Sequence, residues 1–176
     1  MTHTPRFGPV MQLGFVVPDL ERAMEHWTGT VGVGPFFVLS HVRFAETMYH
    51  GKPTQIDMSV GVAQWGAVQV ELVQQFNDAP SIYQDFPGRA LGGLQHLGVM
   101  THSVADDLVR LQQAGITPTQ WGHTANGIRF AYVATDQHHP GAMIELIEHG
   151  PAIDSFFSMV RDAAKDWDGH QPVRRL

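Results

Sequence analysis

The sequence predicts an α+β protein built from two βαβββ modules and a closing C-terminal helix. Three observations predict it. First, MQLGFVVPDLERAMEHWTGTVGV from Met11 and QHLGVMTHSVADDLVRLQQAGIT from Gln95 repeat one pattern of strand, cap and helix. Their offset is constant, since Gln12 and His96, like Asp19 and Ser103, lie 84 residues apart. Second, each copy is closed by a strand with a glutamate in its middle, AVQVELVQQ (67–75) and GAMIELIEH (141–149). Third, a stretch rich in Gly, Pro and Asp, NDAPSIYQDFPGRALGG (77–93), reads as a linker between the copies.

Each copy opens with a short apolar strand carrying Leu-Gly, at Leu13-Gly14 and Leu97-Gly98. An amphipathic helix follows. In the first, Leu20, Ala23, Met24 and Trp27 recur at helical spacing, as Val104, Leu108 and Leu111 do in the second. Asp19 and Ser103 suit the N-caps, and Gly32 and Gly115 suit the C-terminal ends. Two further strands fit between helix and closing strand in each half. They are FFVLSHVRF (36–44) and QIDMSVGVAQW (55–65), then TPTQWGHT (117–124) and GIRFAYVAT (127–135). The expected organisation is a first module over 8–76, a linker over 77–93, a second module over 94–149, and a helix and tail over 150–176. In the last segment Phe156, Phe157, Val160, Ala164 and Trp167 form one apolar side, and DGHQPVRRL is expected to fray.

Bulk properties narrow the function classes. A net charge of −6 argues against a nucleic-acid surface. No apolar run approaches the ~18 residues that span a bilayer, and the N-terminus lacks the profile of a signal peptide. Without cysteine there is neither disulfide nor thiolate chemistry. The expected location is the cytoplasm, with no membrane partner.

Glu145 poses the chemical question. In an extended chain it shares a face with Met143 and Ile147. A carboxylate between apolar neighbours is costly unless it is paired or binds a cation. Glu71 holds the corresponding place in the first copy.

Paired βαβββ modules with polar residues on their first and last strands resemble the vicinal oxygen chelate superfamily. That superfamily includes glyoxalase I, methylmalonyl-CoA epimerase, extradiol dioxygenases and bleomycin-resistance proteins. The resemblance spans about residues 9–149. It implies a half-open, eight-stranded mixed-sheet barrel around a metal site. The implied ligands are Gln12, Glu71, His96 and Glu145, holding one divalent ion (Zn, Ni, Co, Mn or Fe). One imidazole nitrogen and three oxygens leave positions open for substrate oxygens on an octahedral ion. Such an ion acts as a Lewis acid on a carbonyl and stabilises the enolate formed when the adjacent carbon loses a proton. Glu145, or its counterpart Glu71, is the expected base; the resemblance favours Glu145.

The expected function is a metal-dependent isomerase, epimerase or lyase acting next to a carbonyl of a small chelating substrate. The alternatives are a non-catalytic small-molecule-binding protein of the same fold and, ranked lower, an Fe(II) extradiol dioxygenase. Phe37, Trp65, Trp121, Phe130 and Tyr132 are candidate substrate-binding residues shared between core and pocket wall. His41, His50, His102, His123 and the His138–His139 pair read as surface or rim, and Arg43, Lys52, Arg89 and Arg129 as solvated charge. Glu46 falls near where epimerase relatives place a second acid or base. The apolar side of the last helix needs cover, over the pocket mouth or between two subunits, and a homodimer is expected.

Overall fold

Asp19 and Ser103 cap the two repeat helices, as their positions predict. Their side chains accept hydrogen bonds from the backbone N–H of Arg22 at 3.0 Å and of Asp106 at 3.1 Å. The computed structural model describes residues 7–135 and 142–176, so His138–His139 and Gly141 lie outside the described residues. In the first copy, β1 (Val10–Val16) leads into α1 (Leu20–His26), which loosens into a π turn over Trp27–Val31 and ends at Gly32 with φ 77°. The copy continues through β2 (Phe36–Leu39), β3 (Phe44–Tyr49), β4 (Lys52–Pro53), β5 (Met58–Trp65) and β6 (Val68–Gln75). The second copy comprises β7 (Gly93–Thr101), α2 (Val104–Gln113), β8 (Gln120–Thr124), β9 (Arg129–Val133) and β10 (Met143–Glu148). The chain ends with α3 (Pro151–Ala163) and β11 (Val173–Arg175).

Among the described residues the strands form one mixed sheet in the order β11-β2-β5-β6-β1-β7-β10-β9-β8-β3-β4. Each closing strand runs parallel to its own opening strand, β6 beside β1 and β10 beside β7, and the halves meet where β1 and β7 pair antiparallel. The eight strands expected are all present, and three short ones extend the sheet to eleven.

One of the extra strands, β3, corrects the reading of 36–44 as one strand, and a second, β4, pairs with it. The chain leaves β2 at Leu39 and re-enters the sheet as β3 on the far edge, against β8. In a flat sheet β2 and β3 would be about 38 Å apart, at ~4.8 Å per strand. The step from Leu39 to Phe44 spans at most about 18 Å. The sheet must therefore curl, and residues 40–43 tie its two ends into an open cup. His41, with φ 48°, makes the turn.

The third extra strand corrects the frayed tail. Val173–Arg175 pairs parallel with β2, and Arg175 Nη2 donates to Glu21 Oε1 at 2.7 Å. The stretch 77–93 is also more than a spacer. Ser81, Ile82 and Tyr83 are buried, and Ser81 Oγ donates to Gln75 Oε1 at 2.6 Å.

Helices α1 and α2 cover the convex face through Leu20 and Met24 in one half, and Val104 and Leu111 in the other. Helix α3 seats in the concave face. Val160 packs on Phe37 and Val62, while Ile153 and Phe157 pack on Ile147. Its apolar side is thus covered within the chain, over the cup, rather than offered to a second copy. Among the described residues no helix is long and apolar enough to cross a membrane.

Candidate metal centre

The register of the four central strands builds the site. One row across β6, β1 and β7 reads Glu71, Gly14, His96. The next row across β6, β1, β7 and β10 reads Gln69, Gln12, Gly98, Glu145. Positions two apart share a face, so Gln12, Glu71, His96 and Glu145 all point into the cup. Each glycine of the repeated Leu-Gly lies between two polar residues of neighbouring strands. A Cβ on Gly14 would sit 1.9 Å from Cε1 of His96, and one on Gly98 would sit 2.9 Å from the Cβ of Gln12. The glycines are there because the opposing side chain occupies the space.

His96 is fully buried and Glu145 is 7 % exposed. His96 Nε2 lies 3.1 Å from Glu71 Oε2 and 3.3 Å from Glu145 Oε2. One ligand atom from each of the three residues falls within 4.8 Å of the others. On the far side of the ring, His96 Nδ1 is 2.8 Å from Gln95 Oε1. A carbonyl oxygen only accepts, so Nδ1 carries the proton and Nε2 is left for a cation.

Gln12 completes the set. Its Nε2 donates to Gln69 Oε1 at 3.1 Å, and its own Oε1 is buried with no hydrogen-bond partner among the described residues. A buried acceptor without a partner costs about 1–3 kcal/mol. Two carboxylates and an imidazole nitrogen within 4.8 Å of one another, with an unmatched amide oxygen on the same pocket wall, fit a hard-to-borderline divalent ion such as Zn, Ni, Co, Mn or Fe.

Electrostatics point the same way. Burial alone lowers the pKa of His96, but the Glu145 and Glu71 carboxylates outweigh it and raise it to about 10 in the metal-free protein. Burial pushes Glu71 up, with the charge of Glu145 adding to it and His96 opposing. In the absence of a cation, the two carboxylates recruit a proton onto the imidazole.

Beside the centre opens a cavity of about 100 Å³. It is bounded by β5 (Met58, Val60, Val62), by β9 (Phe130, Tyr132) and by Ile153, Phe156 and Phe157 of α3. Of the five candidate substrate-binding residues, Phe130 and Tyr132 line it. Three do not. Phe37 is on the same face but lies under α3 against Val160. Trp121 faces the convex side and packs with α2. Trp65 falls at the odd end of β5, half-exposed, edge-on to Trp27 at 5.7 Å. Glu46 is exposed on β3 and does not line the cavity.

Three contributors were not singled out in the sequence. Gln69 and Gln95 orient Gln12 and His96. Tyr83, from the 77–93 stretch, enters the cavity, and its hydroxyl lies 3.0 Å from that of Tyr132. Burial first, and then the Glu145 carboxylate, raise both phenols well above their usual pKa, so both stay protonated. The adjacent apolar pair Ile82-Tyr83 inside a Gly-, Pro- and Asp-rich stretch was the available signal.

Residues 11–132 match the family model described as the glyoxalase/bleomycin resistance protein/dioxygenase superfamily. No curated protein matches the sequence significantly. Among solved structures, methylmalonyl-CoA epimerase from Mycobacterium tuberculosis superposes with a TM-score of 0.57 at 19% identity, covering 88% of this chain and 97% of that one. A hypothetical protein from Bacillus halodurans gives 0.55 at 14% identity, over 81% and 95% of the two chains. A Streptomyces coelicolor methylmalonyl-CoA epimerase variant in complex with 2-nitronate-propionyl-CoA gives 0.51 at 16% identity, over 82% and 96%. At these identities the likeness is one of fold.

Proposed function

The chain belongs to the glyoxalase/bleomycin resistance protein/dioxygenase superfamily, and we propose that within it the chain is a metal-dependent isomerase, epimerase or lyase. It removes a proton next to a carbonyl of a small substrate. One observation carries this reading: the Glu71, His96 and Glu145 cluster, with the unmatched Oε1 of Gln12 on the same pocket wall, opens onto a half-open, largely apolar cavity. A divalent ion bound there would supply a Lewis acid for a substrate carbonyl.

The chain's own residues do the rest. Gln12, Glu71, His96 and Glu145 would hold the ion, and Gln95, at His96 Nδ1, would leave Nε2 for it. Glu145, on the cavity wall between the apolar Met143 and Ile147, takes the α-proton on a carboxylate oxygen. Glu71 is the alternative base on the opposite strand. Helix α3 roofs the cavity with Ile153, Phe156 and Phe157 and keeps water from the reacting carbon.

Elemental analysis tests the centre. Protein purified without chelator should hold about one divalent ion per chain by the ligand count. The double variant His96→Ala/Glu145→Ala should hold none, and an unchanged metal content in it sinks the assignment.

A binding protein without catalysis is the second reading, favoured by the largely apolar cavity wall. It should show no stoichiometric metal. Two carboxylates and one histidine depart from the two-histidine, one-carboxylate set of an Fe(II) dioxygenase. The homodimer is also a proposal. With the α3 face covered, it would use other exposed apolar residues such as Trp65, Phe76 and Leu91. Light scattering at micromolar concentration decides between one copy and two.

A further inference from the structure

We infer that the substrate of this centre is a neutral, apolar carbonyl compound, and that carboxylate-bearing substrates are excluded from the cavity. The inference rests on the proposed site and adds to it the chemical class of molecule that site accepts.

The cavity wall is the first ground. Around the candidate ligands it presents aliphatic and aromatic side chains from every element that touches it. Leu39 comes from the end of β2, Val42 from the link that ties the sheet ends, Phe44 from the start of β3, Val60 and Val62 from β5, and Phe156 from α3. Its polar groups, apart from the ligands, are the hydroxyls of Tyr83, Thr124 and Tyr132. Among the described residues no lysine or arginine lines it. Arg174, the cation associated with the α3 cluster, lies over the Phe37 ring at 5.5 Å, outside the lining. Arg129 faces out, 3.7 Å from Glu148. An anion entering the cup would lose its water and meet no counter-charge among the described residues, which is strongly unfavourable.

The charge of the centre is the second ground. Glu71 and Glu145 bring two negative charges, Gln12 and His96 bring none as ligands, and a divalent ion brings two positive. The filled centre is neutral, so it does not attract a carboxylate either. Without an ion, at most one imidazolium stands against two carboxylates. In neither state does the centre offer net positive charge. A neutral compound with two adjacent oxygens, one of them a carbonyl, can reach the metal without bringing charge. Its hydrocarbon part then fills the apolar wall.

A matched pair of probes tests this. 1-Phenyl-1,2-propanedione and phenylpyruvate are similar in size. Both carry adjacent oxygens and a hydrogen next to a carbonyl, and only the second is an anion. Binding is measured by calorimetry on the zinc-loaded protein, and α-hydrogen exchange with deuterated solvent by NMR.

The dione is expected to bind about a hundredfold or more tighter than phenylpyruvate, the scale set by an unpaired buried charge. Equal or tighter binding of phenylpyruvate overturns the inference. Val42→Arg, at a half-buried position on the link, places a cation on the wall. It should shrink the ratio about tenfold or more by restoring a counter-charge, and an unmoved ratio also overturns the inference. Failure of the catalytic reading looks different. Tight dione binding without deuterium exchange leaves the substrate class standing and removes the proton abstraction.

Discussion

Gly14→Ala should empty the metal centre while leaving the sheet in place. The added Cβ would sit 1.9, 2.0 and 2.4 Å from Cε1, Nε2 and Nδ1 of His96. Ordinary contact is about 3.5 Å, so the ring must retreat by roughly 1.5 Å. Metal–ligand distances tolerate about 0.2 Å, so Nε2 is lost as a ligand and affinity should fall about a hundredfold or more. Overpacking at a buried position costs about 1–3 kcal/mol, which for a chain of this size lowers Tm by roughly 2–12 °C. Competition against a chelator reads the affinity, and calorimetry of the metal-free protein reads the stability. The decisive comparison is the double variant Gly14→Ala/His96→Ala. With the ring removed, the alanine at 14 has space, so the double variant should be no less stable than His96→Ala alone. That non-additivity is a coupling of about 1–3 kcal/mol. Gly98→Ala should do less harm, because its Cβ meets Gln12 at 2.9 Å and 3.0 Å. Metal bound within threefold of wild type in Gly14→Ala, or strictly additive stabilities in the double variant, would refute the reasoning.

Two further outcomes follow from the same centre. The folded-state pKa of His96 without metal, about 10, lies above the ordinary 6.5, so between these values the native protein binds more protons than the unfolded chain. Its contribution to stability is fully present below about 6.5 and is lost as pH rises towards 10. The Tm of chelator-treated protein should decline across that window, zinc should flatten the decline, and His96→Gln should remove it; a wild-type Tm that climbs through the window refutes the charged imidazole. Binding of zinc near neutral pH should release about one proton per ion, the proton of His96, seen as a buffer-dependent enthalpy in calorimetry. Glu145→Gln should keep some metal through its amide oxygen yet slow α-hydrogen exchange by about 10²–10⁴-fold, the scale of a lost general base. Exchange at the wild-type rate in that variant, with Glu71→Gln inactive, would move the base to Glu71.

What the sequence made legible was what local chemistry determines. The caps Asp19 and Ser103, the helical spacing around Leu20 and Val104, and the two closing strands were read correctly because cap, period and turn signals lie within a few residues of their effects. The misreadings share a cause in long-range pairing. Nothing near residues 40–43 says that β3 will pair with β8, eighty residues away. Nothing in PVRRL says that it will find the edge of β2. The aromatic wall failed at Trp65 and Trp121 by the parity of a strand, because one residue of register sends a side chain to the other face. Phe37 has the right parity, but it was taken by α3, whose seat in the cup the sequence left open.

Gln12 is the member of the proposed ligand set with least support from its own residue type, and the register explains its place beside the others. Where β1 and β7 pair antiparallel, Gln12 opposes Gly98 and His96 opposes Gly14. In both copies the polar residue stands two positions before the glycine, so the two copies are complementary to each other across the pair. The space opened by each glycine is filled by the other copy's polar side chain. The parallel neighbours then bring Glu71 beside Gly14 and Glu145 beside Gly98. A polar residue, a leucine and a glycine in both opening strands, with a glutamate in both closing strands, therefore suffice to bring four polar side chains to one face of the sheet, three of them within 4.8 Å of one another. Each alone reads as an ordinary strand residue; the repeat and its antiparallel pairing make them a site.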